Sequence, residues 1–200
     1  METFYHGTSM LFKKFDLAHA LEGDGKVKFG FGIYVTAAYK TAAHYAFNKK
    51  RPENTNFYVY TVTIPSIKND NHLFSNKSVD RAIVARASKK LGEDIPSEVT
   101  IQGKLFRKYV GNVLTGQRST VKKMSGSANI EAEKAATIFF STIGVDYYVW
   151  PQAQNNPDGI TNRAILDERK ISIVRIDKVQ LNDKKQLIEG SQVKINIEDI

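Results

Sequence analysis

The chain has no cysteine, which excludes disulfides and thiolate metal sites. That absence suits a reducing compartment, and a cytoplasmic location is expected, although exported proteins can lack cysteine as well. No apolar run approaches the ~20 residues of a membrane-spanning helix, so no membrane contact is expected. The opening Met1-Glu2-Thr3-Phe4-Tyr5 leads straight into a motif, and no signal peptide is expected. His19, His44 and His72 lack ligand-like spacing, and no metal is expected. Internal repeats and low-complexity tracts are missing too.

What is present fits one soluble domain over residues 1–200. The hydrophobic content of 42% and charged content of 25% are ordinary for a globular protein with a real core. The net charge of +8 is uneven. Lys and Arg stand against Asp and Glu at eight to five in residues 1–60, twelve to five in 61–125, and nine to eleven in 126–200. The excess therefore lies in the middle third, including Arg107, Lys108, Lys122 and Lys123. A basic face attracts polyanions such as nucleic acid, or it is simply a solvated surface.

The pattern along the chain predicts an α+β fold. A short strand at Phe4-Tyr5-His6 ends in a Gly-Thr turn, and Phe12–Phe15 suggests a brief second element. Residues 16–30 read as a loop, with glycines and charges but no sustained period. Ile33-Tyr34-Val35 is a strand, and Thr36 is placed to cap a helix over about 37–48. Phe57–Ile64 is the clearest strand, ended by Pro65. Helical segments follow, the first over 79–90 capped by Ser78, the next through Tyr109 and Val113, the third over 128–142. Strands return at 147–150, 163–166, 171–176 and 193–197, with a turn at Asn155–Gly159. The middle, about 72–143, reads as a basic helical insertion in a strand framework.

Three residues attract chemistry. His6 ends a strand before Gly7, which would let a ligand approach the backbone. Tyr34 sits where a strand meets a helix. Each alone is ordinary, since an isolated histidine or strand tyrosine is commonly structural.

Together, Tyr5-His6-Gly7-Thr8, Gly32-Ile33-Tyr34-Val35-Thr36 and Ala42-Ala43-His44-Tyr45 resemble the catalytic domains of poly(ADP-ribose) polymerases and diphtheria-toxin-like ADP-ribosyltransferases. Asn162–Ile171 resembles that family's third element in length and pattern. The likeness spans about 1–65 and 145–180. It implies two packed, antiparallel-rich sheets around a cleft for NAD, which serves as co-substrate. His6 would bond a ribose hydroxyl, and the Gly7 backbone would hold the nicotinamide carboxamide, with Thr8 beside it. Tyr34 and Tyr45 would sandwich the nicotinamide ring. Loop 16–30 would cover the diphosphate with Lys26 and Lys28.

The third element departs from the family, which has a catalytic glutamate where this chain has Asn162. An asparagine oxygen still accepts a hydrogen bond, but it supplies no charge and no general base. Three readings follow: an acceptor nucleophilic enough to need no base, a substitute carboxylate (Asp167, Glu168, Glu22 or Asp24), or NAD binding without turnover. The first implies transfer of single ADP-ribose units. A base nitrogen suits such a site, and the basic middle could track a phosphate backbone through Arg107, Lys108, Lys122 and Lys123. Nucleic acid, RNA before DNA, is the expected acceptor. The resemblance further implies a bacterial or phage-related toxin with an antitoxin partner. A protein-modifying effector and an NAD-binding module are the alternatives. Trp150-Pro151-Gln152 ends a strand near the site, as core or as an acceptor contact.

Overall fold

The computed structural model describes residues 1–22, 27–47, 53, 55–117, 129–152 and 160–200. Asp24, Lys26, Lys122, Lys123 and the whole turn at Asn155–Gly159, with Asp158, lie outside them.

The described residues form an α+β structure with one eight-stranded mixed sheet. Its strands are β1 (Glu2–Thr8), β2 (Ile33–Thr36), β3 (Phe57–Ile64), β4 (His72–Phe74), β5 (Tyr147–Pro151), β6 (Thr161–Ile165), β7 (Ser172–Val179) and β8 (Val193–Ile195). They lie in the order β4-β5-β6-β2-β1-β3-β7-β8. Only β4 and β5 run parallel. Two separate sheets were expected, and the hydrogen-bonded ladder is instead continuous. The seam explains the difference. β1 shares seven residue pairs with β3, and β2 shares four with β6, but β1 and β2 meet only at Tyr5 and Thr36. Beyond that pair the two halves splay.

The halves close over a common core. Phe4, Val62 and Ile176 from one half pack with Ile33, Val35, Val149 and Ile165 from the other. Arg163 spans the join. Its guanidinium lies 4.3 Å from the Phe4 ring and donates to the Glu2 carboxylate at 2.6 Å.

The opposite face carries the helices. Helix α1 (Tyr39–Tyr45) lies over β1 and β3, with Ala42, Ala43 and Ala46 against Val59 and Val179. Helices α2 (Arg81–Leu91), α4 (Gly103–Leu114) and α5 (Ile130–Thr142), with the short α3 (Ser97–Thr100), cover β5 and β6. Phe106, Val110, Ala136 and Phe140 pack there on Tyr148, Trp150 and Ala164. The predicted insertion thus supplies nine of the fourteen buried residues of the core cluster over β5 and β6, and it begins with strand β4.

Three local expectations change. Thr36 Oγ1 accepts from Ala38 N–H at 3.3 Å, capping a turn before α1. Asp80 rather than Ser78 caps α2, accepting from Ala82 N–H at 2.8 Å. A carboxylate is the stronger acceptor for an exposed helix N–H. Phe12–Phe15 forms no strand or helix.

Candidate functional site at the sheet seam

Where β1 and β2 diverge, His6 reaches across the gap. Its Nδ1 lies 2.8 Å from the main-chain oxygen of Tyr34. A carbonyl only accepts, so Nδ1 carries the proton. Burial holds the imidazole pKa below its ordinary value, so the ring is neutral at pH 7 and Nε2 is an acceptor. Strand alternation puts His6 on the core face with Phe4. Its ring meets Phe15 edge-on at 5.1 Å, with Phe12 and Tyr60 beyond. Phe12 stacks on Tyr60 at 4.4 Å, and its N–H donates to the Tyr60 hydroxyl at 2.7 Å. The non-regular segment 10–15 is therefore a backing for His6.

Tyr34, Thr36, Asn162 and Trp150 share the opposite, helix-covered face. The register aligns Trp150 with Asn162, Asn162 with Thr36, and Thr36 with Tyr5 in one row across four strands. Asn162 is 6% exposed, and its side-chain oxygen has no hydrogen-bond partner among the described residues. A buried acceptor left unpaired costs about 1–3 kcal/mol, so this oxygen is poised for a donor. Beside it, the Tyr34 ring lies 5.0 Å from Trp150, and Phe29 stacks flat on Trp150 at 4.4 Å. The Tyr34 hydroxyl donates to the Gly30 carbonyl at 2.7 Å and accepts from Phe29 N–H at 3.3 Å. Burial pushes this phenol up to about 12, so it stays protonated. Gly30 has φ +106°, and a Cβ there would lie 2.3 Å from the Tyr148 ring.

The other wall is α1. It sits so close to β1 that a Cβ on Gly7 would lie 1.7 Å from the Ala42 carbonyl oxygen. Thr41 and Tyr45, one turn apart, share a flank of α1. Thr41 Oγ1 accepts from Gln152 Nε2 at 3.1 Å, which turns that flank toward the end of β5. Tyr45 is 62% exposed. Thr8 Oγ1 accepts from Met10 N–H at 3.1 Å, and Lys28, exposed, holds its ammonium 5.2 Å from the Phe29 ring centre.

The predicted residues are thus only partly gathered. Tyr34 and Asn162 share a face, His6 touches Tyr34 through the backbone from the other face, and Gly7 and Tyr45 belong to the α1 wall. Thr36 and Phe29, read from the sequence as a cap and a loop residue, prove to be neighbours of Asn162 and Trp150. Aromatic residues flanking the Gly30-Phe31-Gly32 turn were the available signal.

The predicted polyanion contacts need correction. Arg107 is 2% exposed and donates through Nε and Nη2 to Glu133 at 2.6 and 3.2 Å. Lys108 is buried as well, and desolvation lowers its pKa. Arg107 sits between α4 and α5 because that face of α4 packs inward. Cations left at the surface include Arg81, Lys89 and Lys90 of α2, with a shallow hollow between Arg86, Lys89 and Lys90 and Thr142 of α5.

The substitute carboxylates fare no better. Asp167 and Glu168 follow the far end of β6, whose last residue, Ile165, stands about 10 Å along the strand from Asn162 at ~3.3 Å per residue. Asp167 is held by Arg169, which lowers its pKa. Glu22 is engaged by His19 at 2.6 Å.

Among the described residues no cluster of His, Asp or Glu could hold a metal ion, and no helix is long and apolar enough to cross a membrane. Comparison with protein-family models, with curated proteins and with solved structures finds no match to this chain.

Proposed function

We propose that the chain is a mono-ADP-ribosyltransferase with the fold of that family. It cleaves NAD at the nicotinamide–ribose bond and passes ADP-ribose to a nucleic acid, RNA before DNA. The observation that carries this reading is the buried, donorless oxygen of Asn162, set on one sheet face with Tyr34 beside a strand seam. A ribose hydroxyl is the donor it fits. His6, on the opposite face, acts on this site through its Nδ1–H bond to the Tyr34 carbonyl, which fixes the strand that carries Tyr34. In this reading nicotinamide binds between Tyr34 and the exposed ring of Tyr45.

In the reaction the C1–nitrogen bond of the nicotinamide riboside breaks, and its electron pair neutralises the pyridinium. An acceptor nitrogen gives its lone pair to C1 and its proton to water. Asn162 orients the sugar without adding charge. The acceptor must therefore be a competent nucleophile already, which a nucleobase nitrogen is. In a cell such transfer to RNA is toxic, and an antitoxin partner fits that role.

Incubating the protein with NAD labelled in its adenylate half and with RNA, DNA or cell lysate tests the proposal. Label is expected in RNA, and its loss with His6→Ala or Asn162→Ala. Absence of both nicotinamide release and transfer contradicts it and leaves a binding module. The burial of Arg107 and Lys108 favours one second reading, a protein acceptor, because it removes two cations from the surface. Label in protein alone would select that reading.

A further inference from the structure

The strongest unassigned feature is the polar network buried under the Gly30-Phe31-Gly32 turn. Helices α4 and α5 approach so closely that a Cβ on Gly111 would lie 2.3 Å from the Ala132 carbonyl oxygen. One turn before Gly111 and one residue after Ala132, Arg107 and Glu133 meet in a two-bonded pair, 2% and 3% exposed. The Arg107 guanidinium lies 5.0 Å from the Tyr148 ring centre. Its Cδ packs where a Gly30 side chain would be, 3.2 Å from that Cβ position. One turn beyond Glu133, Thr137 donates to the Phe31 carbonyl at 2.7 Å. From the other side the Tyr34 hydroxyl donates to the Gly30 carbonyl.

Both carbonyls of the turn are thus tied, one to Tyr34 and one to α5, and Arg107 fills the space beneath. Stability alone does not call for an ion pair here. A well-packed apolar pair of similar volume commonly does as well or better in a core. What a bidentate guanidinium adds is a fixed plane, and this one faces the turn that aims Tyr34.

We propose that Arg107 and Glu133 are positioning residues: through the Gly30–Gly32 turn they set the Tyr34 and Phe29 rings against Trp150, and so the shape of the nicotinamide slot. The substrate part of this statement rests on the function proposed above. The ring geometry does not.

Trp150 is the sole tryptophan, so its emission reports the slot directly. The double variant Arg107→Met/Glu133→Leu removes the fork but keeps the volume. Its melting temperature is expected to stay near that of the unaltered protein, while Trp150 emission shifts to the red and acrylamide quenching increases at least twofold. The KM for NAD should increase about tenfold, with a smaller change in kcat. Arg107→Lys, which keeps the charge but loses the fork, should not restore the spectrum. Unchanged Trp150 emission and quenching in the folded double variant overturns the proposal, as does a changed spectrum with an unchanged KM. If the double variant fails to fold, Thr137→Val carries the test. It cuts one tether and should move the spectrum the same way by less, and no movement overturns the proposal. If the unaltered protein neither binds nor cleaves NAD, the proposed function fails, and the Trp150 measurement still decides whether the pair holds the turn.

Discussion

The two walls of the seam are built by opposite means. On the α1 side small residues let backbones touch: Gly7 lies under the Ala42 carbonyl, with alanines filling the interface. Its aromatic, Tyr45, stands 62% exposed. On the insertion side large rings and a buried ion pair fill the space, and Tyr34 is fixed by hydrogen bonds at its hydroxyl. One wall is clamped through its side chains. The other is packed tightly through its backbone and carries an exposed ring.

The contrast can be broken most severely at its closest contact. Gly7→Ala drives a methyl group into the α1 backbone, where no flexible side chain can give way. The loss should exceed the about 1–3 kcal/mol usual for overpacking, read as a collapse of the thermal transition. On the other wall, Arg107→Ala leaves Glu133 buried without its partner, and about 3–5 kcal/mol of stability should go. Equilibrium denaturation measures it. Losing the exposed Lys40–Glu189 pair, 2.6 Å apart, should change nothing measurable.

Smaller effects sharpen the comparison. Tyr34→Phe removes two hydrogen bonds and should cost about 1 kcal/mol, whereas Tyr45→Ala should fall within about 0.5 kcal/mol of the unaltered protein. Both should raise the KM for NAD. A finding that Tyr45→Ala destabilises as much as Tyr34→Phe would erase the distinction between a clamped and an exposed ring. The slightest effect is in pH. Burial lowers the His6 pKa from its ordinary 6.5, so the unfolded chain binds the proton more readily. Its contribution is complete above about pH 6.5 and declines as pH falls toward the folded value. His72 is shifted the same way by burial. Thermal melts between pH 5 and 7 should show a stability loss on acidification that His6→Gln reduces and does not abolish.

Much of this arrangement was legible in the chain. Runs such as Phe57–Ile64 carry their own strand signal, and the early Gly-rich motif marked Tyr34. Strand β4 was not legible, because three residues held mainly by pairing with β5 leave too short a pattern. The burial of Arg107 was missed for a physical reason: a charge reads as surface unless its partner is known, and the partner is 26 positions away. The signal lay in α5, where Glu133 interrupts an apolar series of Ala132, Ala136, Phe139 and Phe140. His6 lies on the face opposite Tyr34 and Asn162, which the sequence did not show, since one residue of register decides which side a strand residue takes.

The central claim is that the Asn162 oxygen completes an NAD-cleaving site. Release of nicotinamide from NAD by the unaltered protein and by Asn162→Leu, in the presence of RNA, tests it most directly. The account predicts release coupled to label in the RNA for the unaltered chain, and a loss of about a hundredfold in Asn162→Leu with the fold retained. Equal release from the two proteins would contradict it.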